Sequence, residues 1–142
     1  MKKTLLTLLT ATMLLTGVST LLNANQGDKA AKPFLIQGKL PHLTMMVKIL
    51  WDDEDLALTP EQKTKLLTIR KHTMGTAKTL KIQIIKLENE VVKRSNENAK
   101  PASLKALVDD IAKLRAEATM VHLDCIYDTR MILSEDQLYV VE

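Results

Sequence analysis

Apolar positions along this chain recur at helical spacing over its second half. Ala77, Leu80, Ile84, Leu87 and Val91 follow one another in alternating steps of three and four, the signature of a coiled-coil seam. Leu104, Leu107, Ile111, Leu114, Ala118, Val121 and Cys125 repeat the pattern without a break. At 100° per residue, Leu67, Met74, Ile85 and Val92 form a second stripe on the first of these helices, roughly 90° around from its seam. The spacing predicts two long helices, from Thr59 to about Lys93 and from Pro101 onward, each about 30 residues and therefore roughly 45 Å long. Residues 95–100 (SNENAK) form a short polar loop between them, so the helices are expected to fold back as an antiparallel hairpin. A hairpin with this second stripe has more apolar surface than one pairing hides, which predicts a homodimer or a bound client.

Start signals sharpen the boundaries. Thr59 suits an N-cap, Pro60 the first helical position, Glu61 the positive end of the helix dipole, and Gln62 the N3 place of a capping box. A second box runs from Ser134 to Gln137, with Leu133 and Leu138 placed as a hydrophobic staple. Only Tyr139 to Glu142 follow it, predicting a final helix of little more than one turn. A short helix is expected over residues 41–51, with Pro41 in its first turn, ending at the acidic run Asp52 to Asp55. Strand-like alternation between turn residues is absent, and the fold class is all-α.

Residues 1–24 read as a signal peptide: Lys2 and Lys3, an apolar stretch of Leu, Ala and Met, and Ala24 as the last residue before cleavage. The alternative is an uncleaved membrane anchor. No cysteine follows the apolar stretch, which speaks against a lipoprotein. Cleavage takes two of the 20 basic residues and none of the 17 acidic ones, so the mature chain is close to neutral. No basic stripe with interleaved aromatics exists, so no nucleic-acid partner is expected. Residues 25–39 read as a flexible leader whose Phe34, Leu35 and Ile36 dock on the body, and residues 40–142 as the helical domain. Aromatic residues make up only 3% of the chain, so aliphatic side chains must fill the core.

Little in the chain suggests an enzyme. Gly27, Gly38 and Gly75 are too scattered for a phosphate loop, and neither G-x-S-x-G nor H-E-x-x-H occurs. His122 and Cys125 are i, i+3 neighbours, yet Cys125 continues the seam, so it is read as a packing residue, with an interchain bridge as the alternative. His42, Met45 and Met46 are expected on one face of the short helix, a set suited to a borderline-soft metal. The competing reading packs Met45 and Met46 in the bundle and leaves His42 to cap. His42, Met46 and His122 are the candidate metal ligands, and His72 stands apart. Leu67, Met74, Ile85 and Val92 are the candidate client-binding residues, flanked by Lys63, Lys65, Arg70, Lys71, Lys78 and Lys81, which would attract acidic clients.

The two boxes read Leu58-Thr59-Pro60-Glu61-Gln62 and Leu133-Ser134-Glu135-Asp136-Gln137, two versions of L-[TS]-x-x-Q bracketing the predicted hairpin. Over residues 40–142 the chain thereby resembles the Spy/CpxP periplasmic family, known by a repeated LTxxQ motif, and the related ZraP and CnrX-type heavy-metal proteins. Ser134 departs from the family's usual threonine and keeps the capping hydroxyl. The resemblance implies a cradle-shaped antiparallel dimer in the periplasm that shields unfolded or stress-damaged envelope proteins without ATP, or acts on a membrane sensor kinase. Its metal-resistance branch implies a sensor of zinc, copper, nickel or cobalt. No cofactor is required for the first role. The motif itself (Leu58, Thr59, Gln62, Leu133, Ser134, Gln137) is read as helix capping with no chemistry of its own.

Overall fold

The computed structural model describes residues 32–36 and 38–142; the expected signal segment and most of the leader lie outside the described residues. Four helices follow in order: α1 (Leu43–Ile49), α2 (Pro60–Asn96), α3 (Pro101–Ile132) and α4 (Glu135–Val141). No strand occurs among the described residues. None of their helices is long and apolar enough to cross a membrane.

The two long helices start and stop where local chemistry directs. Thr59 Oγ1 accepts from the Gln62 amide at 3.1 Å, and Gln62 Oε1 accepts from the Thr59 amide at 3.0 Å, closing the capping box before Pro60. α2 runs 37 residues, one turn past the Lys93 expected from periodicity. Its end is a Schellman turn: the Asn98 and Ala99 amides reach back to the Ser95 and Arg94 carbonyls. Asn98 takes the left-handed conformation there (φ 61°), which asparagine tolerates better than most residues. α3 opens on Pro101 and α4 on the Ser134–Gln137 box. α4 has seven residues, about two turns, so it is longer than the few residues after Gln137 suggest.

α2 and α3 pack along each other through the predicted seams. Leu80 and Ile84 of α2 and Leu104, Ala118 and Cys125 of α3 are buried. Polar contacts tie the same pair: Gln62 Nε2 donates to the Ile132 carbonyl at 2.9 Å, Arg115 and Glu88 form an ion pair at 2.5 Å, and Arg94 donates to the Ser103 carbonyl at 3.5 Å. The main core lies where the first turns of α2, the end of α3, and the short helices meet. Leu43 and Val47 of α1, Leu56, Leu66, Leu133 and Val141 form it, with Trp51, Leu58, Ile132 and Leu138 packed around them.

The two capping boxes touch. Gln62 Nε2 donates to Gln137 Oε1 at 2.8 Å, and Gln137 Nε2 donates back to Gln62 Oε1 at 3.2 Å. Each amide has a further task. Gln62 also donates to the Ile132 carbonyl, Gln137 to the Leu56 carbonyl at 2.9 Å, and Gln137 Oε1 accepts from the Ser134 amide at 3.0 Å. Every donor and acceptor site of both side chains is thus engaged. Leu56 and Ala57, on the approach to α2, are held by this pair, and Ala57 sits at φ 42°, a strained value for a residue with a Cβ.

Gln137→Leu keeps the bulk and removes the amide. It is expected to lower stability by about 1–3 kcal/mol, because several half-buried partners lose their bonds together. Gln62→Leu should behave alike, and the double variant should cost clearly less than the two single losses combined. Urea unfolding followed by circular dichroism measures all three; strictly additive losses would show that the two amides act independently.

Candidate binding surface and histidine pair

The second stripe of α2 stands uncovered. Leu67, Met74, Ile85 and Val92 expose 55%, 56%, 38% and 58% of their surface. At 100° per residue these positions stay within about 20° of one line, over roughly 37 Å of helix. Ile82 adds a further exposed aliphatic side chain, 60° to one side. The seam residues Leu80 and Ile84 are buried against α3 about 90° away, so helix pairing does not reach the stripe. Beside it stand Lys71 and Lys78, both exposed; Lys65, expected to flank it, lies on the opposite side of the helix. Lys63 is otherwise engaged: it pairs with Asp52 at 2.8 Å and lies 5.6 Å from the Trp51 ring centre. A second exposed line, Met120, Tyr127 and Met131, runs on the far side of α3 from Ala118 and Cys125. Periodicity alone hides this line, because its members lie between the seam positions and alternate with charged residues.

His42 and His122, 80 residues apart in sequence, meet in space. Their rings stack with centroids 5.3 Å apart and planes at 19°. Phe34 packs on the other partner of the pair, 4.9 Å from the His122 ring. The leader is fixed there by two main-chain bonds: the Leu35 amide donates to Thr119 Oγ1 at 2.8 Å, and Arg115 donates to the Lys32 carbonyl at 3.0 Å. Phe34 therefore docks as expected, whereas Leu35 and Ile36 remain exposed.

His42 does not share a helical face with Met45 and Met46. It is the N-cap of α1, and its carbonyl accepts from both methionine amides. Pro41 likewise precedes the helix. Met45 and Met46 are exposed, while Leu43 and Val47 make the contacts that packing assigned to the methionines. His72 stays apart from the histidine pair, beside Asp124 and Asp128 in a shallow hollow. Cys125 is buried and unbridged, with its thiol 3.9 Å from Thr44 Oγ1.

As a metal site the pair is incomplete. Nearly parallel stacked rings aim their nitrogen lone pairs side by side and not at one point. No group of three or more His, Cys, Asp or Glu able to hold an ion occurs among the described residues. One feature stands out all the same: His122 Nδ1 is sealed from solvent and has no hydrogen-bond partner among the described residues.

Comparison with protein-family models, with curated proteins and with solved structures finds no match to this chain. Functional argument therefore rests on the side chains themselves.

Burial holds the His122 imidazole below its ordinary value of 6.5, and the nearby His42 and Lys32 push in the same direction. The unfolded chain then binds a proton that the folded chain refuses, so stability is full above the unfolded value and is lost as pH falls through the folded one. Melting temperature is expected to drop between about pH 7.5 and about pH 5, and the drop should be shallower in His122→Phe. Thermal scans of both proteins across that range check this; parallel curves would remove His122 as a source of acid sensitivity.

Proposed function

We propose that this chain is an exported, ATP-independent binding protein of the Spy/CpxP type, which shields unfolded or stress-damaged envelope proteins. One observation supports the reading above the others: a continuous line of flexible and aliphatic side chains on α2 that α3 leaves in water. Monomeric proteins seldom keep such a strip without a partner for it. Met74, unbranched and flexible, suits a surface that must fit many apolar sequences, and Leu67, Ile85 and Val92 supply apolar area around it. The lysines around the strip add long-range attraction for acidic clients without fixing a register. In this reading α2 and α3 form an antiparallel hairpin, and two such hairpins form a cradle-shaped homodimer in the periplasm. Action on a membrane sensor kinase belongs to the same reading, since a surface that accepts clients also suits a regulatory partner that clients displace.

A second reading, a periplasmic metal sensor or scavenger of the ZraP/CnrX kind, draws on the meeting of His42 with His122 and on the unpartnered Nδ1. An ion there requires the rings to leave their stack, and it requires a further donor, for which Met46 supplies a soft sulfur. Isothermal calorimetry with zinc, copper, nickel and cobalt separates the readings. Heats equal to buffer dilution, or heats unchanged in His42→Ala, exclude the metal site.

The chaperone reading is tested by light scattering of a chemically denatured client diluted into buffer. The protein is expected to slow aggregation without nucleotide. Met74→Lys with Ile85→Lys should weaken protection several-fold while leaving helix content unchanged, since both side chains are already in water. Equal aggregation with and without the protein would rule the reading out. Sedimentation at micromolar concentration tests the dimer, for which twice the chain mass is expected.

A further inference from the structure

A hollow of about 320 Å³ lies between α1 and the first turns of α2. Its wall is built by helical spacing. Thr44, Val47, Lys48 and Trp51 stand at i, i+3, i+4 and i+7 on one side, and Leu66, Leu67 and Arg70 at i, i+1 and i+4 on the other. Val47 and Leu66 are buried and make the floor, while Leu67 is open to water at the rim.

The charges at this hollow have one sign. Lys48 and Arg70 both line it, and no acidic side chain does. Neither cation forms an ion pair among the described residues, unlike Lys63, Lys105, Arg115 and Arg130. An apolar slot flanked by two uncommitted cations is complementary to a molecule with a greasy tail and one negative head. Arg70 adds geometry to charge, because a guanidinium presents two parallel donors that match a carboxylate.

Size decides between a small molecule and a protein segment. A stable protein partner covers about 20–30 residues on each side. Seven residues surround this hollow, whose volume sits at the lower end of the roughly 300–1,000 Å³ of small-molecule sites. We infer that the slot between α1 and α2 binds a single-chain fatty carboxylate, with its tail over Val47, Trp51, Leu66 and Leu67 and its head between Lys48 and Arg70. This site overlaps the proposed client strip at Leu67 and at Arg70, one of the cations beside the strip, while Thr44, Val47, Lys48, Trp51 and Leu66 belong to the slot alone.

Trp51 is the chain's single tryptophan and lines this wall, so its fluorescence reports on a ligand seated there. The full chain, purified without detergent, is titrated with sodium decanoate below its micelle concentration. A saturable change in Trp51 emission is expected. Decyltrimethylammonium, with the same tail and the opposite head, should bind at least about tenfold more weakly. The variant Lys48→Gln with Arg70→Gln should lose at least about tenfold in decanoate affinity, which is about 1.4 kcal/mol. No saturable change with decanoate, equal binding of the cationic amphiphile, or undiminished binding by the double variant would each overturn the assignment. So would a Trp51 response to phosphatidylglycerol vesicles with none to free decanoate, which points to a membrane surface. Decanoate titration reads the slot without any client, and light scattering of a client reads protection without any decanoate, so failure of the slot and failure of the chaperone reading are told apart.

Discussion

The arrangement depends on two side-chain amides that meet between helix starts. Gln62 and Gln137 each close the capping box of their own helix and then reach across to one another. A capping box alone settles where a helix begins; two boxes sharing their glutamines also settle where two helix beginnings lie relative to each other. The same amides take up the Ile132 and Leu56 carbonyls, which stand at the end of α3 and on the approach to α2. Four chain segments are therefore joined through eight or so polar atoms, most of them partly screened from water. Direction matters here as much as strength. Amide pairs accept and donate at fixed angles, whereas the aliphatic cluster around Leu43, Leu56 and Leu66 would tolerate rotation of its members. Apolar burial supplies most of the stability of that end, and the glutamine pair supplies its uniqueness.

Burial is uneven along the two long helices. The end that holds the glutamine pair is packed on by α1, α4 and the leader, so it has a true core. Farther along, among the described residues, α2 packs chiefly on α3. One helix covers about one face of its neighbour, which suffices for the seam of Leu80 and Ile84 and leaves the line from Met74 to Val92 in water. A well-anchored end thus carries a pair of long helices whose outer apolar face meets no partner among the described residues. A binding surface needs this combination, since a strip that must receive others cannot be consumed by the chain's own core, yet has to stay helical. α2 stays helical through its caps at both ends and through its seam.

Local signals in the sequence carried most of the architecture. Thr59, Pro60, Gln62, Ser134 and Gln137 mark their helix starts by chemistry that acts within four residues, and the three-four steps of Leu104 to Cys125 mark a buried seam that the structure contains. The exposed stripe was equally legible, because the angle between two apolar lines on a helix follows from position alone. What stayed hidden was contact between distant segments. Nothing in L-[TS]-x-x-Q says that its two copies touch, since each copy is complete as a cap. The His42–His122 stack joins residues with no shared periodicity, and it forms because α1 and the leader both lie on α3. The placement of His42 on a face with Met45 and Met46 failed for a local reason: His42 is the N-cap of α1, with φ −98° and ψ 56°, so its imidazole leaves at the angle of a cap and not of a helical turn.

That last difference reaches further than one side chain. Had His42 been inside the helix, its ring would have lain along the α1 surface with the methionines, and a soft-metal cluster would follow naturally from the spacing. As an N-cap it turns instead toward α3, where His122 lies between it and Phe34. Three planar rings then close the joint between leader, α1 and α3, and burial of the central one disfavours its charged form. A neutral imidazole between two rings packs as an aromatic; a charged one in the same place would repel His42 and lie without a counter-ion. The joint is therefore favoured while His122 carries no charge, and the cap at His42 ties it to α1, whose other face packs into the apolar core through Leu43 and Val47 and walls the slot with α2.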